Sequence, residues 1–235
     1  MKKTKSFTLL LLLAFLSNWA FAQVGPPPMP TKARQLNLKV YLQGLYNTTN
    51  SNMNQCLTAD GITAKWGGNI VDTIYVELHN AANYNTIVYT AYSVELNQNG
   101  TANSNGKTYI TIPSSYSGSY YITVRTRNHI ETTSALPVSF ANKITNYDFT
   151  TAATQAYFSN MKLLATGVYG LYVGDVNQDG VVDATGDIEA VTAAFSNGVL
   201  GYAITDINGD GVVDATGDIE AVTAAFSNGV VKQTP

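Results

Sequence analysis

One segment of 20 residues occurs twice near the C-terminus, and this repeat constrains the fold more than any other feature of the chain. Residues 180–199 and residues 211–230 share the sequence GVVDATGDIEAVTAAFSNGV. The similarity extends upstream, because DVNQD beginning at Asp175 is matched 31 residues later by DINGD beginning at Asp206. Two copies of one sequence are expected to adopt the same structural unit.

Each copy opens with oxygen-bearing residues at regular positions of a loop. If the chain wraps around a point, the side chains at positions 1, 3, 5 and 9 and the backbone carbonyl at position 7 converge on it, and a glycine at position 6 permits the sharp turn. Calcium prefers oxygen ligands, magnesium needs stricter geometry, and the loops lack the histidine or cysteine that zinc prefers. A solvated cluster of acidic turns is the alternative. The predicted ligands are Asp175, Asn177, Asp179, Val181 and Asp183 in the first loop, and Asp206, Asn208, Asp210, Val212 and Asp214 in the second.

The two loops resemble those of dockerins, which contain two F-hand calcium loops with one helix each and lack the entering helix of a full EF-hand. The resemblance covers residues 174–227 and is carried by the two D-x-N-x-D-G segments. It implies two bound Ca²⁺ ions and a partner with a cohesin-like domain, commonly in assemblies that degrade polysaccharides. The basic residues that are common on dockerin helices are absent. In dockerins the residues after position 9 face the partner, and the matching residues here are Ala184, Thr185, Ala215 and Thr216.

The ends of the loops depart from the dockerin pattern by one residue. The family places an aspartate at position 12, where this chain has Gly186 and Gly217, and glycine has no side chain that can bind a metal. We therefore expect both loops to have 13 residues and to close on the aspartates that follow, Asp187 and Asp218. The alternative ligands are Glu189 and Glu220.

The residues after each loop have helical periodicity. Asp187 or Thr185 can cap the first helix, and Gly198 can end it. We expect the apolar stripe of each helix to form the core of the module rather than a binding face. This stripe contains Ile188, Val191, Ala194 and Phe195, and it recurs at Ile219, Val222, Ala225 and Phe226.

Upstream of the repeats, apolar and polar residues alternate, as is typical of half-buried β-strands. Residues 36, 38, 40 and 42 share one apolar face, and Ile74, Val76 and Leu78 share another. Roughly seven short strands with polar turns predict an antiparallel, immunoglobulin-like β-sandwich. The chain is therefore expected to be mainly β, with this sandwich over residues 35–165 and the small α-helical dockerin-like module over residues 170–235.

The N-terminus has the features of a signal peptide. Lys2, Lys3 and Lys5 precede an apolar run at residues 9–16, and a small-x-small pattern ends at Ala22. A membrane anchor is the alternative, but the apolar run is shorter than the roughly 20 residues that a membrane span needs. We expect cleavage after Ala22, secretion or display at the cell surface, and a Pro-rich linker over residues 23–34. Without a second apolar run, the mature chain is not expected to be an integral membrane protein.

Charge and cysteine content restrict the partners. From position 171 onward the chain has ten acidic residues and a single basic residue, Lys232. This imbalance argues against nucleic acid and favours cations. Cys56 is the only cysteine, so an internal disulfide is excluded, and we expect its thiol to be buried or inert.

No sequence pattern indicates catalysis. His79 and His129 are the only histidines, and the GxSxG, HExxH and phosphate-loop motifs are absent. We therefore expect a secreted, non-enzymatic calcium-binding protein whose module mediates attachment to a protein partner. The alternative is a carbohydrate-binding or adhesin-like surface protein in which calcium is purely structural and Tyr75, Tyr121 and Trp66 contact sugars.

Overall fold

The computed structural model describes residues 33–104 and 106–235. The predicted signal peptide and nearly all of the predicted linker lie outside the described residues, and the first strand begins at Arg34. The part of the chain from Lys32 to Pro235 forms one compact unit. Within the described residues, no helix is both long and apolar enough to cross a membrane.

Most of the regular structure consists of short β-strands, because polar turn residues interrupt the alternating apolar pattern every few residues. Two strands of 11 residues each, β4 (Ile70–Asn80) and β5 (Ile87–Asn97), form the middle of the main sheet. The strands are β1 (Arg34–Lys39), β2 (Tyr46–Asn47), β3 (Asn52–Met53), β4 (Ile70–Asn80), β5 (Ile87–Asn97), β6 (Thr101–Asn103), β7 (Ile110–Ile112), β8 (Ser119–Arg125), β9 (Thr132–Thr133), β10 (Val138–Ser139), β11 (Ile144–Asp148), β12 (Lys162–Ala165) and β13 (Val168–Gly170).

The main sheet has nine strands, in the order β10-β8-β4-β5-β6-β1-β11, with β7 also paired to β1 and β9 to β8. Every pairing in it is antiparallel except that of β1 with β11. The prediction of a mainly β chain with a large antiparallel sheet is therefore confirmed. Two small hairpins, β2–β3 and β12–β13, lie outside this sheet. Three 3₁₀ turns, Phe149–Thr151, Ala153–Gln155 and Tyr157–Ser159, connect β11 to β12.

The apolar face that the sequence predicts for β1 and the residues after it is confirmed, because residues 36, 38, 40 and 42 are all at most 2% exposed. On β4, Val76 and Leu78 are fully buried as predicted. Glu77 and His79 on the opposite face are also buried, because the ring of Tyr84 stacks on His79 at 4.2 Å. The imidazole Nε2 of His79 lies 3.1 Å from Oε2 of Glu77, so this outer face carries a covered polar pair.

The two repeats form a second, smaller core with two short helices, α1 (Glu189–Ser196) and α2 (Glu220–Ser227). Two backbone hydrogen bonds join the copies. The amide of Val182 donates to the carbonyl of Val230 at 3.0 Å, and the amide of Val213 donates to the carbonyl of Val199 at 3.2 Å. In each copy the second and third members of the predicted apolar stripe are buried in this core, and the first, Ile188 or Ile219, is partly buried and packs against it. The prediction is wrong for Phe195 and Phe226, which are 46% and 44% exposed. Each phenylalanine follows a buried alanine by one residue, which turns it about 100° around the helix and away from the core.

Candidate metal centres

The turns at the start of both loops follow the predicted backbone. The first loop is defined here as residues 175–187 and the second as residues 206–218. The glycines at position 6, Gly180 and Gly211, have φ values of +92° and +83°. Position 4 is also left-handed in both loops, with Gln178 at +60° and Gly209 at +74°. A side chain in this region of φ/ψ space is strained, so Gln178 is the unusual member of the pair.

The extra residue of each loop is accommodated by a π-helical turn that precedes the α-helix. These turns span Ala184–Ile188 and Ala215–Ile219. In the first, the amide of Ile188 donates to the carbonyl of Asp183 at 3.2 Å, five residues back rather than four. A π turn holds one residue more than an α turn, so a 13-residue loop can end at the start of a regular helix.

The glycine at position 12 lies directly against the asparagine side chain at position 3. A Cβ atom on Gly186 would overlap the side-chain Nδ2 of Asn177, and a Cβ atom on Gly217 would overlap that of Asn208. Any larger residue at position 12 would therefore displace the asparagine side chain at position 3 in both copies.

The aspartate at position 13 closes each loop. Asp187 is fully buried, and its Oδ1 accepts hydrogen bonds from the amides of Val176 at 2.8 Å and Asn177 at 3.3 Å. Its Oδ2 accepts from the amide of Asp183 at 2.8 Å. Asp218 repeats all three bonds, with the amides of residues 207, 208 and 214. The alternative ligands, Glu189 and Glu220, are exposed.

The middle of each loop is held by side-chain bonds to nearby amides. In the first loop, Asn177 Oδ1 accepts from the amide of Asp179 at 2.9 Å, and Asp179 Oδ1 accepts from that of Val181 at 2.9 Å. Asp183 Oδ1 accepts from the amide of Gly186 at 2.6 Å and so caps the π turn. The same bonds recur in the second loop, at Asn208, Asp210 and Asp214.

The first aspartate of each loop is buried without full compensation. Asp175 and Asp206 are 2% and 0% exposed, and Oδ1 of Asp175 and Oδ2 of Asp206 have no hydrogen-bond partner. Burial raises the pKa of Asp175 to about 6, and the carboxylates of Asp187 and Asp179 add to this effect. Burial also raises the pKa of Asp206 to about 7. The positive charge of Arg127 acts to lower this pKa, whereas the carboxylates of Asp218 and Asp210 raise it further.

These pKa shifts show which predicted ligands lie together. In each loop the carboxylates at positions 5 and 13 lie close enough to the aspartate at position 1 to raise its pKa, whereas the carboxylate at position 9 caps the π turn. Across residues 33–104 and 106–235, no three side chains of His, Cys, Asp or Glu are gathered tightly enough to hold a metal ion. The donor chemistry fits a hard cation, since each loop offers oxygen atoms only and includes one buried, unpartnered carboxylate oxygen.

The two loops differ in what surrounds them. The part of the chain that precedes the repeats, which we call the sheet region, packs closely against the second loop. A Cβ atom on Gly209 would lie 2.6 Å from Cδ2 of Leu45 and 2.9 Å from Sγ of Cys56. The amide of Leu57 donates to the carbonyl of Gly209 at 2.8 Å. In the first loop, the equivalent residue Gln178 is exposed. The exchange of glutamine for glycine at position 4 thus follows from the neighbouring structure.

Arg127, which the sequence did not single out, joins the sheet region to the second loop. Its Nε donates to Oδ2 of Asp72 at 3.2 Å, and its Nη1 donates to the carbonyls of Asp206, at 2.6 Å, and Ala203. The guanidinium also lies over the ring of Tyr202, 4.4 Å from the centroid. The only sequence signal for this contact was the glycine at position 4 of the second loop, which marks a close approach of other chain segments.

Cys56 and His129 lie near the loops but outside them. Cys56 is free and fully buried, as expected, and burial followed by the nearby charge of Asp72 raises its pKa to about 12. His129 is also buried, and neither ring nitrogen has a hydrogen-bond partner. Burial and the positive charge of Arg127 lower the pKa of His129 to about 3.

The predicted partner residues are accessible. Ala184 and Thr185 lie at the start of the first π turn, Ala215 and Thr216 lie at the start of the second, and all four are exposed.

No family model, no curated protein and no solved structure matches this chain.

Proposed function

We propose that this chain is an exported, non-enzymatic protein that binds two Ca²⁺ ions and attaches to a protein partner through a dockerin-like module. The observation that carries the proposal is the buried carboxylate at the first position of two oxygen-rich loops, Asp175 and Asp206, each with one oxygen that has no hydrogen-bond partner. An isolated buried charge is costly unless a counter-charge is supplied. We also propose that the large sheet is an immunoglobulin-like β-sandwich, since buried residues from β1, β4, β5 and β8 belong to one core.

Bound calcium would supply a positive charge at the unpartnered oxygen of each of these carboxylates. The residues that would hold it are those at loop positions 1, 3, 5 and 9, the carbonyls of Val181 and Val212, and the aspartates at position 13. Because an ion that binds only the folded state adds its binding free energy to folding, calcium is expected to stabilise the protein.

Calorimetric titration of chelator-treated full-length chain with CaCl₂ tests the metal proposal. We expect two binding events and a higher melting temperature in calcium than in EDTA. Asp175→Asn and Asp206→Asn should each remove one event and leave the other. Failure to bind calcium, or equal melting temperatures in calcium and EDTA, would contradict the proposal.

Attachment is supported by the exposed, duplicated surface formed by Ala184, Thr185, Ala215 and Thr216. Surface plasmon resonance over an immobilised cohesin domain, with calcium or with EDTA, measures it directly. We expect binding in calcium only, and loss of binding when Thr185 and Thr216 are both replaced by aspartate. The same double variant should retain both calcium-binding events, because neither threonine is among the proposed ligands.

A further inference from the structure

A groove of about 250 Å³ opens between strands β4 and β5 and the C-terminal repeats. We call it the tyrosine groove. Its walls come from three parts of the chain: the β4–β5 pair, the turn after β8, and the repeat region. The lining includes Tyr75, Ser93, Thr126, Gln178, Tyr202 and Ile204.

Tyr75 lines the tyrosine groove, and its ring contacts that of Tyr92, which lies outside the lining. Tyr75 is 47% exposed and Tyr92 is 71% exposed, and their rings meet edge to face at 5.7 Å between centroids. Ile204, on the opposite wall, is 44% exposed. Two adjacent, solvent-facing tyrosine rings offer an apolar surface with a polar hydroxyl at the end of each ring. Such a surface suits a ligand that has both an apolar face and polar edges.

Two strained residues border the same groove. Ser93 has φ +52° and Gln178 has φ +60°. Left-handed backbone at a residue other than glycine costs about 1 kcal/mol or more and tends to occur at functional sites. The second loop avoids this cost with Gly209, whereas the first loop retains a glutamine whose amide donates to the carbonyl of Thr126. That bond fixes the glutamine side chain at the wall of the groove.

The polar lining of the groove has no unpaired charge. Arg127 is the one charged residue at its base, and its guanidinium is paired with Asp72 at 3.2 Å and lies against the ring of Tyr202. The remaining polar side chains of the lining carry an amide, in Gln178, or a hydroxyl, in Thr73, Tyr75, Ser93, Thr126 and Tyr202. Neutral donors and acceptors beside aromatic rings match a neutral polyol more closely than a phosphate or a carboxylate.

We propose that the tyrosine groove binds a neutral saccharide, with one sugar ring against Tyr75 and Tyr92 and its hydroxyls bonded to Ser93 and Gln178. The groove is slightly smaller than the roughly 300–1,000 Å³ typical of small-molecule sites. It therefore accommodates one or two sugar rings rather than a long chain. The site uses none of the proposed calcium ligands, although Gln178 belongs to the first loop, and it goes beyond the proposed attachment function.

Isothermal titration of the full-length chain with neutral oligosaccharides (cellohexaose, xylohexaose, mannohexaose and laminarihexaose) tests the proposal. We expect at least one probe to bind saturably at concentrations up to roughly 10 mM, which corresponds to a weak but measurable affinity. Tyr75→Ala and Tyr92→Ala should each weaken that binding about tenfold, equivalent to 1.4 kcal/mol. Nuclear magnetic resonance should show the largest shift changes at Ser93 and at the side-chain amide of Gln178.

The chain contains a matched control for the aromatic pair. Tyr157 and Phe158 form a second pair, 5.9 Å apart, with Phe158 81% exposed, and neither lines the groove. Phe158→Ala should leave saccharide binding unchanged. Absence of binding by all four probes, or equal losses in the control and the tyrosine variants, would overturn the proposal. Tighter binding of an acidic probe, such as oligogalacturonate, would overturn the assignment to neutral sugars.

Discussion

The two acidic loops have nearly the same sequence and the same internal structure but different surroundings. Each closes on the aspartate at position 13, each is followed by a π turn, and each leaves one oxygen of its first aspartate without a partner. The first loop exposes positions 3 to 5, whereas the sheet region buries position 4 of the second. Local sequence thus determines the shape of a loop, and tertiary contacts determine how accessible that loop is.

The largest effect should come from removing the arginine that joins the sheet region to the second loop. Arg127→Leu leaves Asp72, which is 1% exposed, without its ion pair and removes one hydrogen bond from each of the carbonyls of Ala203 and Asp206. Breaking a buried ion pair costs about 3–5 kcal/mol. We expect that loss in the free energy of unfolding, measured by urea denaturation and followed by circular dichroism.

Arg125 provides the matched control, because it lies two residues earlier and faces the first loop. Its side chain is 35% exposed and lies 3.6 Å from Glu131 and 3.9 Å from Glu77. Partly exposed pairs of this kind contribute about 1 kcal/mol or less. Arg127→Lys should be intermediate, since it keeps the charge but not the forked hydrogen bonds. Equal losses in Arg125→Leu and Arg127→Leu would show that the second loop is not held as described.

The next largest effect should follow from adding one carbon atom at position 4 of the second loop. Gly209→Ala places a Cβ 2.6 Å from Leu45 and 2.9 Å from Cys56, in a left-handed backbone. Strain and overpacking together should cost about 2–3 kcal/mol. Gly198→Ala separates the two causes, because Gly198 has a similar φ of +64° but no neighbour within 4 Å. The control should cost about 1 kcal/mol.

Thiol labelling gives an independent readout of the same contact. Cys56 is fully buried beneath Gly209, so it should not react with Ellman's reagent in the native protein. Gly209→Ala should raise its labelling rate under native conditions, whereas Gly198→Ala should not. A fast reaction in the unaltered protein would mean that the second loop opens readily, which is contrary to the packing described here.

The sequence predicted the parts of the molecule that depend on local patterns. The alternation around Leu36 and Val76 predicted the strands, and the D-x-N-x-D-G segments predicted the loops and the glycine turns. Contacts between distant segments could not be predicted, because a strand pattern does not show that Arg127 meets Asp206 or that Tyr84 covers His79. The exposure of Phe195 was also missed, since a helical stripe does not show where its packing partner ends.

A smaller, pH-dependent effect should be specific to the side of the first loop. His129 borders a small cavity that it shares with Asp175, Arg125, Glu131 and Lys232. Its pKa is lowered to about 3 in the folded state, by burial and by Arg127, whereas the unfolded value is near 6.5. Below pH 6.5 His129 therefore binds a proton in the unfolded chain but not in the folded protein. The free energy of unfolding falls as the pH drops toward 3.

Comparison of the wild type with His129→Leu isolates this contribution. Between pH 6.5 and 5 the wild type should lose about 1–2 kcal/mol relative to the variant, because one pKa unit corresponds to 1.36 kcal/mol. The measurement is a set of urea unfolding curves at half-unit pH steps. Parallel pH profiles for the two proteins would show that His129 is not buried in its neutral form.

The smallest effect is expected from the reverse exchange at position 4, Gln178→Gly, which gives the first loop the residue of the second. Glycine relieves the left-handed backbone, a gain of about 1 kcal/mol, but removes the bond from the side-chain amide to the carbonyl of Thr126, a loss of about 1 kcal/mol. The free energy of unfolding should therefore change by less than about 0.5 kcal/mol, within the range of ordinary surface substitutions. A loss as large as that of Gly209→Ala would show that the first loop is also held tightly by the sheet region, and the contrast between the two loops would then fail.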